Sequence, residues 1–180
     1  MLDYEFFYII SIPIFILFII VMIWKKIFFK KIILYSLFYF YIITLLAVTI
    51  FPIPIQWLKE IWIYGGNNNF IPFSSIRGIL FNDNLHVIIK MKQIIGNIIL
   101  FIPMGFFIPF IWKSKTYYKK TLLIGIVYSF CIELLQYIIS FLLWFNYKVT
   151  DIDDILLNTL GFIIGFFLYK LFKWSFTSEK

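Results

Sequence analysis

Five long apolar stretches occupy most of this chain, and they leave the backbone little choice but helix. They run over Phe6–Trp24, Ile32–Phe51, Ile94–Trp112, Thr121–Phe145 and Ile155–Leu171. About 20 apolar residues cross a bilayer as a helix. Inside hydrocarbon no water satisfies backbone N–H and C=O groups, so a spanning segment must bond its own backbone. Composition closes off the soluble alternative, because 63% of the residues are hydrophobic and 23% aromatic. A soluble domain is about half apolar, and one of this length has too little interior for so many Phe and Ile side chains. The expected fold is all-α, an integral membrane bundle of about five transmembrane helices. It forms one domain over residues 1–180, with no soluble domain beside it.

The charges orient the bundle. Lys25, Lys26, Lys30 and Lys31 fill the first short loop, and Lys113, Lys115, Lys119 and Lys120 fill the third. Lys170, Lys173 and Lys180 lie at and beyond the end of the last stretch. Short cytoplasmic loops collect Lys and Arg, which places these regions inside, the N-terminus out and the C-terminus in. The net charge of +7 is therefore a topology signal that meets anionic headgroups. Nucleic-acid binding is excluded, since it needs clustered cations with a docking geometry. Phe6–Trp24 lacks a basic leader and a small-residue cleavage site, so it reads as an anchor that stays. The single cysteine, Cys131, excludes a disulfide or a cysteine metal site within one chain and reads as a small buried hydrophobe. Heavy use of Ile, Phe, Lys, Tyr and Asn beside one alanine, Ala47, points to an AT-rich genome. The expected location is the plasma membrane of a low-GC Gram-positive bacterium.

Pro52 and Pro54 end the second helix, because proline removes a donor and disrupts the preceding turn. The outer loop that follows, Pro52–Gln93, is the least regular part. Ile55–Tyr64 sets Trp57 and Trp62 among Leu58, Lys59, Glu60 and Ile61, a mix that suits a short helix in the interface. Gly65–Asn69 reads as a turn. Phe70–Arg77 is apolar but too short to span; it reads as a re-entrant piece, tolerated only where protein covers its backbone. His86, with Asp83 nearby, has no partner at ligand spacing and reads as exposed or locally bonded.

Two stripes of polar and small residues cross the last two stretches. In a helix, positions three or four apart share a face. Gly125, Ser129, Glu133, Gln136 and Ser140 fall within roughly 80° of arc. Asp151, Asp154, Asn158, Gly161 and Gly165 do the same, again in roughly 80°. Gly161 and Gly165 make a G-x-x-x-G pair that lets another helix approach closely. Asp153 falls on the opposite side and suits a cap on free first-turn amides. Packing accounts for the glycines and serines. It does not call for carboxylates, which are costly at membrane depth and mark function. With Asn97, Arg77 and Lys148 added, the polar groups converge on the outer half of the bundle as a cavity open to the extracytoplasmic leaflet.

The chain resembles the VanZ-like family of bacterial membrane proteins, named for a teicoplanin-resistance protein. The pieces that carry the resemblance are Asn69–Ile76, Asn97–Phe106, Glu133-Leu134-Leu135-Gln136, Asp151-Ile152-Asp153-Asp154 and Asn158-Thr159-Leu160-Gly161. Their order and spacing fit from about residue 35 to the C-terminus, most strongly over 35–172. The family often has arginine three residues before the first aspartate, where this chain has Lys148; charge is kept, but the bidentate fork is lost. The resemblance implies a cell-envelope role and lowered susceptibility to lipoglycopeptides such as teicoplanin.

Three functions compete on these residues. The first is binding or handling of an amphipathic envelope molecule, a lipid-linked precursor or the antibiotic itself. Its candidate ligand-binding residues are Pro72, Phe73, Arg77, Asn97, Glu133, Gln136, Lys148, Asp151, Asp154 and Asn158. The second is an enzyme acting on a lipid-linked substrate, with Glu133 and Asp154 as catalytic candidates, Glu133 as the base and the aspartates holding a divalent cation. No other cofactor is evident, and no metal site is assigned. The third is a structural partner of another membrane protein, with the stripes paired to a foreign helix.

Overall fold

The computed structural model describes residues 2–54, 66–83, 86–112 and 118–177. Among them are six helices and no strand: α1 (Tyr4–Trp24), α2 (Phe29–Ile50), α3 (Ser74–Leu80), α4 (Val87–Trp112), α5 (Tyr118–Leu143) and α6 (Ile152–Thr177). All but α3 are long and apolar enough to cross a membrane, matching the five expected spans. The interfacial helix expected at Ile55–Tyr64 lies outside the described residues. The chain divides into two compact units, Met1–Ile61 and Trp62–Lys180.

The first unit is a hairpin of α1 and α2. Its turn is a Schellman motif: Lys26 takes a left-handed φ of 53°, and Ile27 N–H reaches back to Met22 O at 3.0 Å. That bond satisfies a carbonyl orphaned by the helix end. The two helices meet through rings, with Phe15 centred 5.1 Å from Tyr39 and 4.7 Å from Phe40. The Tyr39 hydroxyl donates to Ser11 O at 2.6 Å, giving the phenol the partner that its burial demands. At the open end Leu2 and Ile53 exchange two backbone bonds of 2.9 Å. Helix α2 stops at Ile50, two residues before Pro52.

The second unit carries every polar candidate and is built on α4 against α6. Both helices are notched where they cross. A Cβ at Gly161 would lie 2.0 Å from Ile98 O, and one at Gly165 would lie 1.9 Å from Ile102 O. Gly105 answers from α4, where a Cβ would lie 2.0 Å from Phe162 O. This register, 98 beside 161 and 102 beside 165, makes α4 and α6 parallel. Helix α5 runs antiparallel to α6: Ser129 meets Asn158, and Gly125 leaves room for the Phe162 ring 2.5 Å from where its own Cβ would stand. Phe162 is thus wedged among three helices and is 1% exposed. The outer faces, including Ile99, Phe130 and Phe167, stay exposed, as lipid-facing surfaces do.

Cys131 corrects an expectation. It is exposed, on the face of α5 opposite the buried stripe.

Candidate functional site

Both stripes turn inward. Gly125, Ser129, Glu133, Gln136 and Ser140 are all buried, as are Asn158, Gly161 and Gly165. Around the start of α6 they join the segments 68–76 and 148–151 in one hydrogen-bonded cluster.

Asp151 begins α6, and its Oδ1 accepts from Asp153 N at 2.9 Å, the ordinary N-cap bond to the second helical residue. The same oxygen accepts from Asn69 Nδ2 at 2.8 Å. Asn69 also donates to Ser75 Oγ at 2.9 Å and pairs its backbone with this segment, through Asn69 N to Thr150 O at 2.9 Å and Ile152 N to Asn69 O at 3.0 Å. Asn68 Oδ1 accepts from Thr150 N at 3.1 Å. The asparagines expected only to form a turn therefore clamp the loop onto the start of α6.

Asp153 does cap first-turn amides, but those of another helix. Its Oδ1 accepts from Phe73 N at 2.5 Å and its Oδ2 from Ile76 N at 3.0 Å. Phe73 stands at the N-cap of α3 with a left-handed φ of 65° and no side-chain cap of its own. A carboxylate 1% exposed and fully engaged by backbone donors is held in place by them. Phe70–Arg77, expected as a re-entrant piece, is mostly exposed, with its backbone at Phe73 and Ile76 tied to Asp153. Lys90 Nζ reaches Leu80 O at 3.0 Å and closes the other end of α3.

Glu133 lies behind this layer, 4% exposed, and its Oε2 accepts from Asp151 N at 2.9 Å. Packing thus gives this carboxylate a task after all: it ties the middle of α5 to the first amide of α6. Asp154 accepts a hydrogen bond from Asn97 Nδ2 of α4. Deeper in the bundle Asn158 Nδ2 donates to Ser129 Oγ at 3.0 Å.

Asn97, Asp151 and Asp154 line one cavity of about 290 Å³, with Ser75, Lys92 and Gln93. Glu133, Gln136 and Asn158 are buried away from its wall. Arg77 does not join it. With Pro72 and Phe73 it lines a second, wider cavity of about 580 Å³ on the other side of α3. The two cavities have no lining residue in common, and Glu133, Gln136, Lys148 and Asn158 line neither, so the expected ligand set does not form one site. Lys92, Gln93, Asn69 and Ser75 were absent from that set, since nothing in local spacing ties them to α6; α4 starts at Val87, so Lys92 and Gln93 are helical and not part of the loop expected to run to Gln93.

Lys148 precedes α6 and is partly buried. Burial pulls its amine down from 10.5 to about 8, with the field of Glu133 opposing the shift. Burial and Glu133 both push the neighbouring Tyr147 phenol up to about 12. The sign for Lys148 follows from linkage: its charge is disfavoured in the folded state, so its contribution to stability is complete above 10.5 and is lost as pH falls through about 8. Tyr147 has the opposite slope but acts only above its ordinary value of 10. The unfolding temperature between pH 8 and 10 is therefore expected to rise with pH more steeply in the wild type than in Lys148→Met. Equal slopes would show that Lys148 titrates normally.

Among the described residues, no three His, Cys, Asp or Glu side chains are arranged to hold a metal ion. Both oxygens of Asp153 are already taken by α3 amides.

The chain matches the family described as VanZ/LLP1 over residues 38–173, which takes in most of α2 and the whole polar cluster. The chain belongs to the VanZ/LLP1 family. It is also 26% identical over 140 residues to "Protein VanZ" of Enterococcus faecium, covering 78% of this chain and 75% of that protein. No solved structure matches. Five spanning helices in a VanZ/LLP1 member make this a multi-pass membrane protein.

Proposed function

We propose that this VanZ/LLP1 protein binds or handles an amphipathic cell-envelope molecule, and that this lowers susceptibility to teicoplanin-type lipoglycopeptides. The observation that carries the reading is the polar cavity set at one end of a bundle with apolar flanks. Its wall offers acceptors at Asp151 and Asp154 and donors at Asn97, Lys92 and Gln93. A head rich in hydroxyl and amide groups needs both kinds, while its tail stays beside the exposed apolar faces of the helices. Orientation favours an outward opening: Lys120, Lys170 and Lys173 lie at the far ends of α5 and α6 from Asp151, and such residues mark the cytoplasmic side. Glu133, Gln136, Lys148 and Asn158 form the support behind the wall.

Binding tests this directly. The purified protein in nanodiscs is titrated with teicoplanin and, separately, with a lipid-linked peptidoglycan precursor. Asp154→Asn keeps the shape and an acceptor for Asn97 while removing the carboxyl group. It is expected to weaken binding of the true ligand about tenfold, the worth of one hydrogen bond. Binding unchanged by the substitution, or absent for both probes, would overturn the proposal.

A further inference from the structure

We infer that the outward face of α3 is a docking surface for the headgroup of an anionic phospholipid, with Arg77 meeting its phosphate. The helix has two sides. Ser75, Ile76 and Ile79 line the polar cavity, whereas Phe73, Arg77, Gly78 and Phe81 line the second one. On this second side Ile71 is 69% exposed, Phe73 64% and Phe81 76%. In a membrane protein an apolar cluster this open is a surface that lipid covers.

Its depth says with what. Asp153 in the first turn of α6 holds one end of α3, and Lys90 in the first turn of α4 holds the other. The surface therefore lies where two spanning helices begin, at the level of lipid headgroups. Within the cluster stands one cation. Arg77 is exposed, and its guanidinium has no hydrogen-bond or ion-pair partner among the described residues.

Charge narrows the choice of lipid. A guanidinium grips a phosphate through two parallel bonds, so the headgroup phosphate is the natural acceptor. No carboxylate lines this cavity; Asp151, Asp153 and Asp154 line the one across α3. Among the described residues its wall thus carries one cation and no carboxylate, a net charge that favours an anionic headgroup over a zwitterionic one. The surrounding Ile71, Pro72, Phe73 and Phe81 offer a free phosphate ion nothing, but they suit the upper acyl chain. This surface is separate from the polar cavity, and neither reading rests on the other.

A local probe tests it. Gly78 lines the cavity, and a Cβ there meets nothing within 4 Å, so Gly78→Cys in a Cys131→Ser background accepts a polarity-sensitive fluorophore. The full chain in neutral-detergent micelles is titrated with phosphatidylglycerol, with phosphatidylcholine of the same chains, and with glycerol phosphate. The fluorophore is expected to respond to phosphatidylglycerol at about one-tenth the concentration of phosphatidylcholine and not to glycerol phosphate. Arg77→Gln abolishes that preference and Arg77→Lys keeps part of it, with circular dichroism unchanged in both. An equal response to the two lipids, or a preference that survives Arg77→Gln, would overturn the inference. A response to glycerol phosphate matching that to phosphatidylglycerol would overturn the lipid as its source.

Discussion

Asp153→Ala is expected to lower the unfolding temperature by about 10 °C. The carboxylate of Asp153 answers two amides, Phe73 N and Ile76 N, across a sequence separation of about eighty residues. A donor left without a partner away from water costs about 1–3 kcal/mol, so two cost roughly 2–6 kcal/mol before any relaxation. In a protein of this size each kcal/mol moves the midpoint by about 2–4 °C. The strained backbone of Phe73, a bulky residue in left-handed geometry, loses one of the bonds that hold it. Hydrogen exchange locates the effect. The amides of 73–80 are expected to lose protection first, while α4 and α6 keep theirs. Asp153→Asn, which keeps one acceptor oxygen, should fall between wild type and Ala. Equal unfolding temperatures for all three would mean that α3 stands without this cap.

The second large effect lies at the α4–α6 crossing. Gly165→Leu is expected to abolish the folded protein, seen as loss of a monodisperse peak after mild solubilisation. Even the Cβ would sit 1.9 Å from Ile102 O and 2.9 Å from Phe106 N, both backbone atoms that no rotamer change can clear. Ordinary overpacking costs about 1–3 kcal/mol because side chains give way. Here a helix must move instead, so the cost exceeds that range. Gly161→Ala, 2.0 Å from Ile98 O, is expected to fail in the same way with less severity. Gly96→Ala has the opposite sign. It lies in the same helix pair, but its Cβ meets nothing within 4 Å, and Ala is favoured over Gly in a helix by about 1 kcal/mol. A raised unfolding temperature for Gly96→Ala beside the collapse of Gly165→Leu would show that space at the crossing, and not glycine itself, decides.

What could be read in the chain follows from which contacts are local. Helix periodicity placed Gly125, Ser129, Glu133, Gln136 and Ser140 on one face, and all five are buried. The same arithmetic puts Cys131 roughly 200° from the centre of that stripe, so its exposure follows from the pattern that its reading as a core residue ignored. The G-x-x-x-G spacing pointed to close helix approach, which Gly161 and Gly165 make against α4. Long-range pairings were beyond such reasoning. Nothing near Asp153 indicates that it caps α3, and nothing near Asn69 indicates that it clamps Asp151. Arg77 was expected beside the carboxylates because both lie toward the same end of the bundle. The turn of α3 separates them, and only the geometry of that turn decides which side each faces.

The central claim is that the polar cavity, and not the bundle alone, carries the function. Its most direct test is teicoplanin susceptibility in a sensitive Gram-positive host at matched membrane abundance. Four strains are compared: empty vector, wild type, Asp154→Asn and Glu133→Gln. Both substitutions keep shape and an acceptor, so Asn97 and the Asp151 amide retain their partners while the carboxyl groups go. Wild type is expected to raise the inhibitory concentration, and both variants to lose most of that protection. Full protection by both variants, or none by wild type, would contradict the account.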